Sequence, residues 1–152
     1  MTRKNWAIEI LPRALWVVQG VCLYLGQHFT NCPPISASNA GILFLGTLLT
    51  AGGFIFWMYV GYYMRHAFFD KELVTNGPFK YVRHPMYVAI YIMLSGVGLL
   101  FFSLAWFVIM AIFIPIWYID SRIEERQMIG LHGRDYLDYK KRTGMFVPRV
   151  RW

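Results

Sequence analysis

The sequence predicts an all-α membrane protein of four transmembrane helices, with a cytoplasmic loop and a C-terminal helical tail meeting at one face. Three observations carry this. AVILMFWYC residues make up 57% of the chain and charged residues 15%, far from the balance of a soluble domain. Four apolar stretches run over 14–29, 40–63, 85–102 and 103–120; a helix of about 18 residues is roughly 27 Å long, enough for a hydrocarbon core of about 30 Å. All 15 Lys and Arg fall in three segments: Arg3, Lys4 and Arg13; Arg65, Lys71, Lys80 and Arg83; and the tail after 119. Four spans place the three segments on one side, and the positive-inside rule makes that side cytoplasmic. Three or five spans would scatter them. The expectation is a multi-pass integral membrane protein with both termini cytoplasmic and 1–152 forming one domain.

Each element follows in order. Residues 1–13, with Trp6, Ile8 and Pro12 among charges, read as an interfacial lead-in. Residues 14–29 form the first span. A cleaved signal peptide is the rival reading, with Ser36-Ala37-Ser38 as cleavage site, but cleavage would leave three spans with the remaining termini on opposite faces. Pro33-Pro34 closes the first hairpin. The second span, 40–63, carries Gly41, Gly46, Gly52, Gly53 and Gly61, small residues that let helices approach closely, and ends in the aromatic belt of Trp57, Tyr59, Tyr62 and Tyr63. Asn76-Gly77-Pro78 marks a turn in the 64–85 loop, anchored by Leu73-Val74. His84-Pro85 opens the third helix, where proline is tolerated because first-turn amides have no intrahelical partner. The third and fourth spans form a hairpin around Phe102-Ser103. Pro115 is expected to kink the fourth, which continues to Ile129 before Gly130 and Gly133 interrupt it. Arg134 to Arg142 forms a short basic helix with tyrosines.

Several function classes drop out. The net charge of +7 is explained by topology and by attraction to anionic membrane lipid, so nucleic acid is not an expected partner. Two Cys and four His show no metal-ligand spacing, so no metal is expected, and Cys22 and Cys32 lie too far apart along a helix for a disulfide. There is no glycine-rich strand-to-helix turn, GxSxG, HExxH or CxxC. A cofactor would have to sit among helix ends and loops.

The residues with chemistry cluster at the cytoplasmic face. Arg83 can hold a carboxylate or phosphate bidentately, or serve as a snorkelling anchor. His84 reads as a helix N-cap or a ligand, and Tyr87 as belt aromatic or site phenol. Glu124 and Glu125 are neighbours, about 100° apart around a helix. One is expected to face inward while the other pairs with Arg122. Asp120, at the membrane boundary, is costly unless paired or lining a cavity.

The stretch Leu73-Val74-Thr75-Asn76-Gly77-Pro78-Phe79-Lys80-Tyr81-Val82-Arg83-His84-Pro85-Met86-Tyr87, an apolar hairpin, Glu124-Glu125, then His132-Gly133-Arg134-Asp135-Tyr136-Leu137-Asp138-Tyr139 and Val147-Pro148 resembles the isoprenylcysteine carboxyl methyltransferase and phospholipid methyltransferase superfamily. It covers residues 71–148, about half the chain. The RHPxY box, the acid pair and the GxxYxxY segment in that order make a specific signature. The resemblance implies an integral membrane methyltransferase that uses S-adenosylmethionine and acts on a lipidic or small amphipathic acceptor. It implies that Lys71, Glu72, Leu73, Val74, Phe79, His84, Pro85, Met86 and Tyr87 line the cofactor with Glu124 and Glu125, Glu124 holding its polar end. It places Arg83 near the transfer site, catalytic together with Glu124, and gives acceptor contacts to Arg83 and Arg122. Two positions depart from the pattern. Prenylcysteine enzymes typically carry an arginine where this chain has Asp120, with Arg122 about 200° away in helical phase, and Phe79 stands where tyrosine is common. NADPH-dependent sterol reductases share similar features on generally longer chains, but no extra arginine cluster for a 2′-phosphate is present. A non-catalytic membrane scaffold is the third possibility.

Overall fold

Apolar runs and caps set the helices. The computed structural model describes residues 6–29, 39–65 and 72–149, with side chains described from residue 14. Among them are four α-helices, α1 (Trp6–Phe29), α2 (Ala40–Met64), α3 (Pro85–Leu100) and α4 (Leu104–Arg142), and a 3₁₀ turn over Gly77–Lys80. Lys71, Cys32 and the Pro33-Pro34 turn lie outside the described residues.

Asn39 caps α2 by accepting from the Gly41 amide at 2.9 Å, and Ser103 caps α4 by accepting from the Trp106 amide at 3.3 Å. Such side-chain acceptors satisfy amides that a helix start leaves unpaired. The sequence expectation missed the start of α1. The lead-in is already helical from Trp6.

α2 and α4 are long and apolar enough to cross a membrane, and α3 is a shorter apolar helix. Only 11% of the most apolar part of α2 is buried, and Phe44 and Ile55 are 71% and 67% exposed. A helix apolar on its outer face has lipid as its natural surrounding.

α2 packs along α3, and α1 along α4. The α2–α3 seam depends on glycine. A Cβ on Gly53 would come within 2.5 Å of the Met93 amide nitrogen, and one on Gly96 within 2.4 Å of the Thr50 amide nitrogen. Gly46 also faces α3, against Leu100 and the Gly96 carbonyl. Gly52 and Gly61 face open space instead, so the close-packing expectation holds for part of the set. α3 and α4 are joined by the Phe101–Ser103 turn and stitched by the Trp106 indole, which donates to the Leu94 carbonyl at 2.8 Å. Leu23 of α1 joins Trp106 and Met110 in a buried cluster.

α4 runs on past the apolar segment and is broken at Gly133, whose φ of 53° and ψ of −120° leave the helical region; glycine adopts positive φ without a Cβ penalty. Gly130 stays helical, as does Pro115, where no backbone dihedral leaves the helical region. The break redirects 134–142 back toward the loop before α3, positioning the site.

Candidate active site

The chain before α3 is held in place by the tail. Val82 and Gly144 form a parallel bridge, with the Arg83 amide donating to the Gly144 carbonyl at 2.9 Å and the His84 amide to the Met145 carbonyl at 3.1 Å. Tyr139 adds a third tie, its hydroxyl donating to the Phe79 carbonyl at 2.7 Å. Burial pushes the Tyr139 phenol up to about 12, so it remains a donor at physiological pH.

Arg83 lies at the centre of this latch. Its Nε donates to Glu125 Oε1 at 2.6 Å, and its Nη1 donates to the carbonyls of Lys140, at 3.3 Å, and Thr143. Lys140 Nζ reaches the other carboxylate oxygen, Oε2, at 2.5 Å. The Glu125 side chain is 1% exposed and that of Arg83 8%, so this is a buried charge cluster. Burial opposes ionisation of Glu125, but nearby His84 and the hydrogen bonds from Lys140 and Arg83 hold its carboxyl well below the usual carboxylate range. Arg83→Lys keeps the charge but lacks the planar fork. It is expected to lower stability by about 2 kcal/mol, the scale of hydrogen bonds to charged groups. Denaturant titration checks this; a wild-type midpoint would reduce Arg83 to an anchor.

Glu124 does different work. Its Oε1 accepts from the Tyr87 hydroxyl at 3.0 Å, and Asp120 Oδ2 lies at the same distance from that hydroxyl. A phenol has one proton to donate, so the two carboxylates compete for it. Asp120 is buried, and the expectation that it needs a partner is met by Tyr87. The His84 ring approaches Glu124 through Nδ1 at 3.4 Å. Its Nε2 is buried without a hydrogen bond and lies 3.8 Å from Glu125 Oε1, a charge contact too long for a hydrogen bond. His84 is the N-cap of α3 but its side chain caps nothing.

Burial lowers the affinity of His84 for a proton, yet Glu124 and Glu125 outweigh it and raise its pKa above the ordinary 6.5. The sign follows from linkage. A raised histidine stabilises the fold fully below its unfolded value and stops doing so as pH climbs through the raised folded value. Glu125, depressed from 4.5, stabilises fully above its unfolded value and loses that progressively as pH falls from there through its lowered folded value. Thermal melts in detergent are therefore expected to weaken on the alkaline side of pH 6.5, and His84→Asn should flatten that limb. An unaltered limb in the variant would reject the assignment.

Beside this polar group lies an apolar cavity of about 350 Å³ lined by Tyr87, Val88, Tyr91, Ile92, Ser95, Ile114, Trp117 and Phe146. The Tyr87 ring sits 5.4 Å from Trp117 and 6.4 Å from Phe146, so the phenol separates charge from grease.

Residues 36–135 match the sequence profile described as phospholipid methyltransferase. The chain belongs to the phospholipid methyltransferase family. Over 85 residues it is 34% identical to protein-S-isoprenylcysteine O-methyltransferase of Schizosaccharomyces pombe, covering 53% of this chain and 35% of that protein. It is 29% identical over 82 residues to the protein of the same name in Saccharomyces cerevisiae, covering 53% and 34%. It is also 32% identical over 81 residues to the nickel-cobalt-cadmium resistance protein NccN of Alcaligenes xylosoxydans xylosoxydans, covering 53% and 38%. The chain thus spans just over a third of the length of the curated relatives it matches. No solved structure matches it.

For this family member, the structure gathers Arg83, His84, Tyr87, Glu124 and Glu125. Pro85 is fully buried and Met86 half-buried at the start of α3. Phe79 is buried, its carbonyl taken by Tyr139. Glu72, exposed, and Leu73 and Val74, half-buried, precede the 3₁₀ turn and make no hydrogen bond or ion pair with the cluster. Arg122 is exposed without an ion-pair partner among the described residues, so the expected pairing of one glutamate with it does not form; both acids turn toward the α3 start. Sequence reasoning missed Lys140, Thr143, Trp117 and Phe146. Trp117 had a signal, lying on the face of α4 shared by Asp120, Ser121, Glu124 and Glu125. Lys140 had none, since a basic run reads as solvated.

Proposed function

We propose that the protein is a four-span integral membrane enzyme, its termini cytoplasmic, that transfers a methyl group from S-adenosylmethionine to a lipophilic acceptor entering from the bilayer. The observation that carries this reading is the adjacency of the Glu124–Tyr87–Asp120 group to the apolar cavity. Arg83 and Lys140 are both taken up by Glu125, so the carboxylates of Asp120 and Glu124 are left with the Tyr87 hydroxyl and the His84 ring as their neighbours. A pair of carboxylates placed beside an apolar cavity suits a cationic ligand.

The available groups fit such a cofactor. Glu124, 39% exposed, is reachable and would hold an ammonium or ribose hydroxyls. His84 Nε2 is a buried nitrogen without a hydrogen-bond partner, and the Ser121 hydroxyl is another orphan on the same α4 face. The Tyr87 ring offers a face to a cation. S-adenosylmethionine, when bound, supplies a methyl group on a sulfonium. The residues' task is alignment and water exclusion, which account for much of the rate in an in-line displacement. The Tyr87–Trp117–Phe146 wall excludes water on the cavity side, and the latch fixes His84 and Tyr87 against α4.

Two acceptor chemistries are open to the family resemblance, a prenylcysteine carboxylate and a phospholipid amine. One observation favours an amine: the Arg83 Nε and Nη1 that would greet a carboxylate are engaged by Glu125, Lys140 and Thr143. The Glu124–Asp120 pair is also suited to accept an amine proton. A labelled-methyl transfer assay against total host lipid and a prenylcysteine analogue tests the proposal. Label in an organic-extractable product supports it, and no transfer to either pool rejects it.

A further inference from the structure

The N-terminal helix reaches the wall of the apolar cavity, and it lies outside the 36–135 match that defines the family. Gln19 is a primary amide on an otherwise apolar stretch of α1 and is 1% exposed. A polar side chain at that depth is costly unless it is bonded. Its Oε1 accepts from the Trp117 indole Nε1 at 2.7 Å, while its Nε2 has no partner. From one turn earlier on α1, Trp16 stacks on Trp117, with ring centroids 3.8 Å apart and planes at 24°, and reaches Tyr87 at 5.8 Å. Trp117, 2% exposed, is thus gripped by a stack and a hydrogen bond from the same helix, and it also lines the cavity next to Tyr87.

The Trp16 stack covers one face of the indole. The hydrogen bond adds direction, because it fixes where Nε1 points and so which edge of the ring the cavity presents. From this geometry we infer that Gln19 is a positioning residue: by holding Trp117 it sets the shape of the acceptor cavity and hence which lipophilic acceptors are aligned. The inference rests on the methyltransferase reading of the neighbouring acids. It assigns to α1 a selectivity role distinct from cofactor capture, since Gln19 bonds to none of His84, Tyr87 or Glu124.

The test compares full-length wild type, Gln19→Met, which has similar volume and no oxygen, and Gln19→Glu, which restores an acceptor oxygen. Each is labelled with 5-fluorotryptophan, and the Trp117 signal is assigned by its loss in Trp117→Phe. The acceptor probes are N-acetyl-S-farnesylcysteine in detergent and dioleoylphosphatidylethanolamine in nanodiscs. Gln19→Met is expected to shift the Trp117 fluorine resonance, raise KM for the preferred probe about tenfold and change the preference between probes at least fivefold. Its kcat and S-adenosylmethionine affinity should stay within twofold of wild type, and Gln19→Glu should recover the resonance and the KM. Unchanged probe preference, or a parallel fall in kcat and cofactor affinity, overturns the inference. So does a wild type that binds S-adenosylmethionine while neither probe moves the Trp117 signal. A wild type that fails to bind S-adenosylmethionine refutes the methyltransferase reading itself, and the inference falls with it.

Discussion

Replacing Glu124 with alanine is expected to weaken S-adenosylmethionine binding by at least about 30-fold while leaving the protein folded in detergent. The two halves of that expectation have separate causes. Glu124 is partly exposed, and among the described residues the one hydrogen bond its carboxylate accepts comes from Tyr87, which retains Asp120 when Glu124 is gone, while the His84 ring retains Glu125. The fold therefore loses little. Cofactor affinity loses the reachable carboxylate, and truncating one partner of a buried charged hydrogen bond costs roughly 2–5 kcal/mol. That is an affinity loss of about 30-fold to several thousand-fold. Glu124→Gln, which keeps the shape and removes the charge, should fall on the same side. Calorimetric titration of the variants measures this, and wild-type affinity in either would remove Glu124 from the site.

Glu125→Ala should have the opposite profile, with failure of the fold itself. Its carboxylate is the shared counter-charge of Arg83 and Lys140 and lies beside His84. Deleting it leaves a nearly buried guanidinium facing an ammonium, and stranding a buried charge costs about 3–5 kcal/mol. Because Arg83 also ties the loop to the Lys140 and Thr143 carbonyls, the tail should detach with it. The expected result is a cooperative loss of thermal stability and rapid proteolysis after Gly133. Replacing Glu125 and Arg83 together with Leu and Met should recover part of that stability, since apolar substitutes for a buried ion pair are often tolerated. A single variant that melts with the wild type would contradict the latch.

These two acids also show where the sequence was readable. Apolar run lengths placed the helices well: 40–63 became Ala40–Met64, and 85–102 became Pro85–Leu100. The Gly133 break was visible because a glycine followed by a polar, tyrosine-bearing run signals a helix boundary. The division of labour between Glu124 and Glu125 was not visible. Helical phase says that neighbours diverge by about 100°, and they do, but partners from three directions meet them. Tyr87 and His84 approach from α3, Arg83 from the loop, and Lys140 from the returning tail. Long-range closure of that kind depends on the backbone pairing of Arg83 and His84 with Gly144 and Met145, which uses main-chain groups that carry no side-chain signature. Trp117 and Gln19 were hidden for a related reason: an indole and an amide inside apolar stretches reveal their contact only when α1 and α4 pack.

The central claim is that the start of α3 and the acids of α4 form one cytosolic-side pocket for a sulfonium nucleoside. The most direct measurement is a calorimetric titration of the purified, detergent-solubilised protein with S-adenosylmethionine and, in parallel, with NADPH. Saturable one-to-one binding of S-adenosylmethionine with no heat from NADPH is the predicted result. Binding of NADPH instead, or of neither compound, would contradict it.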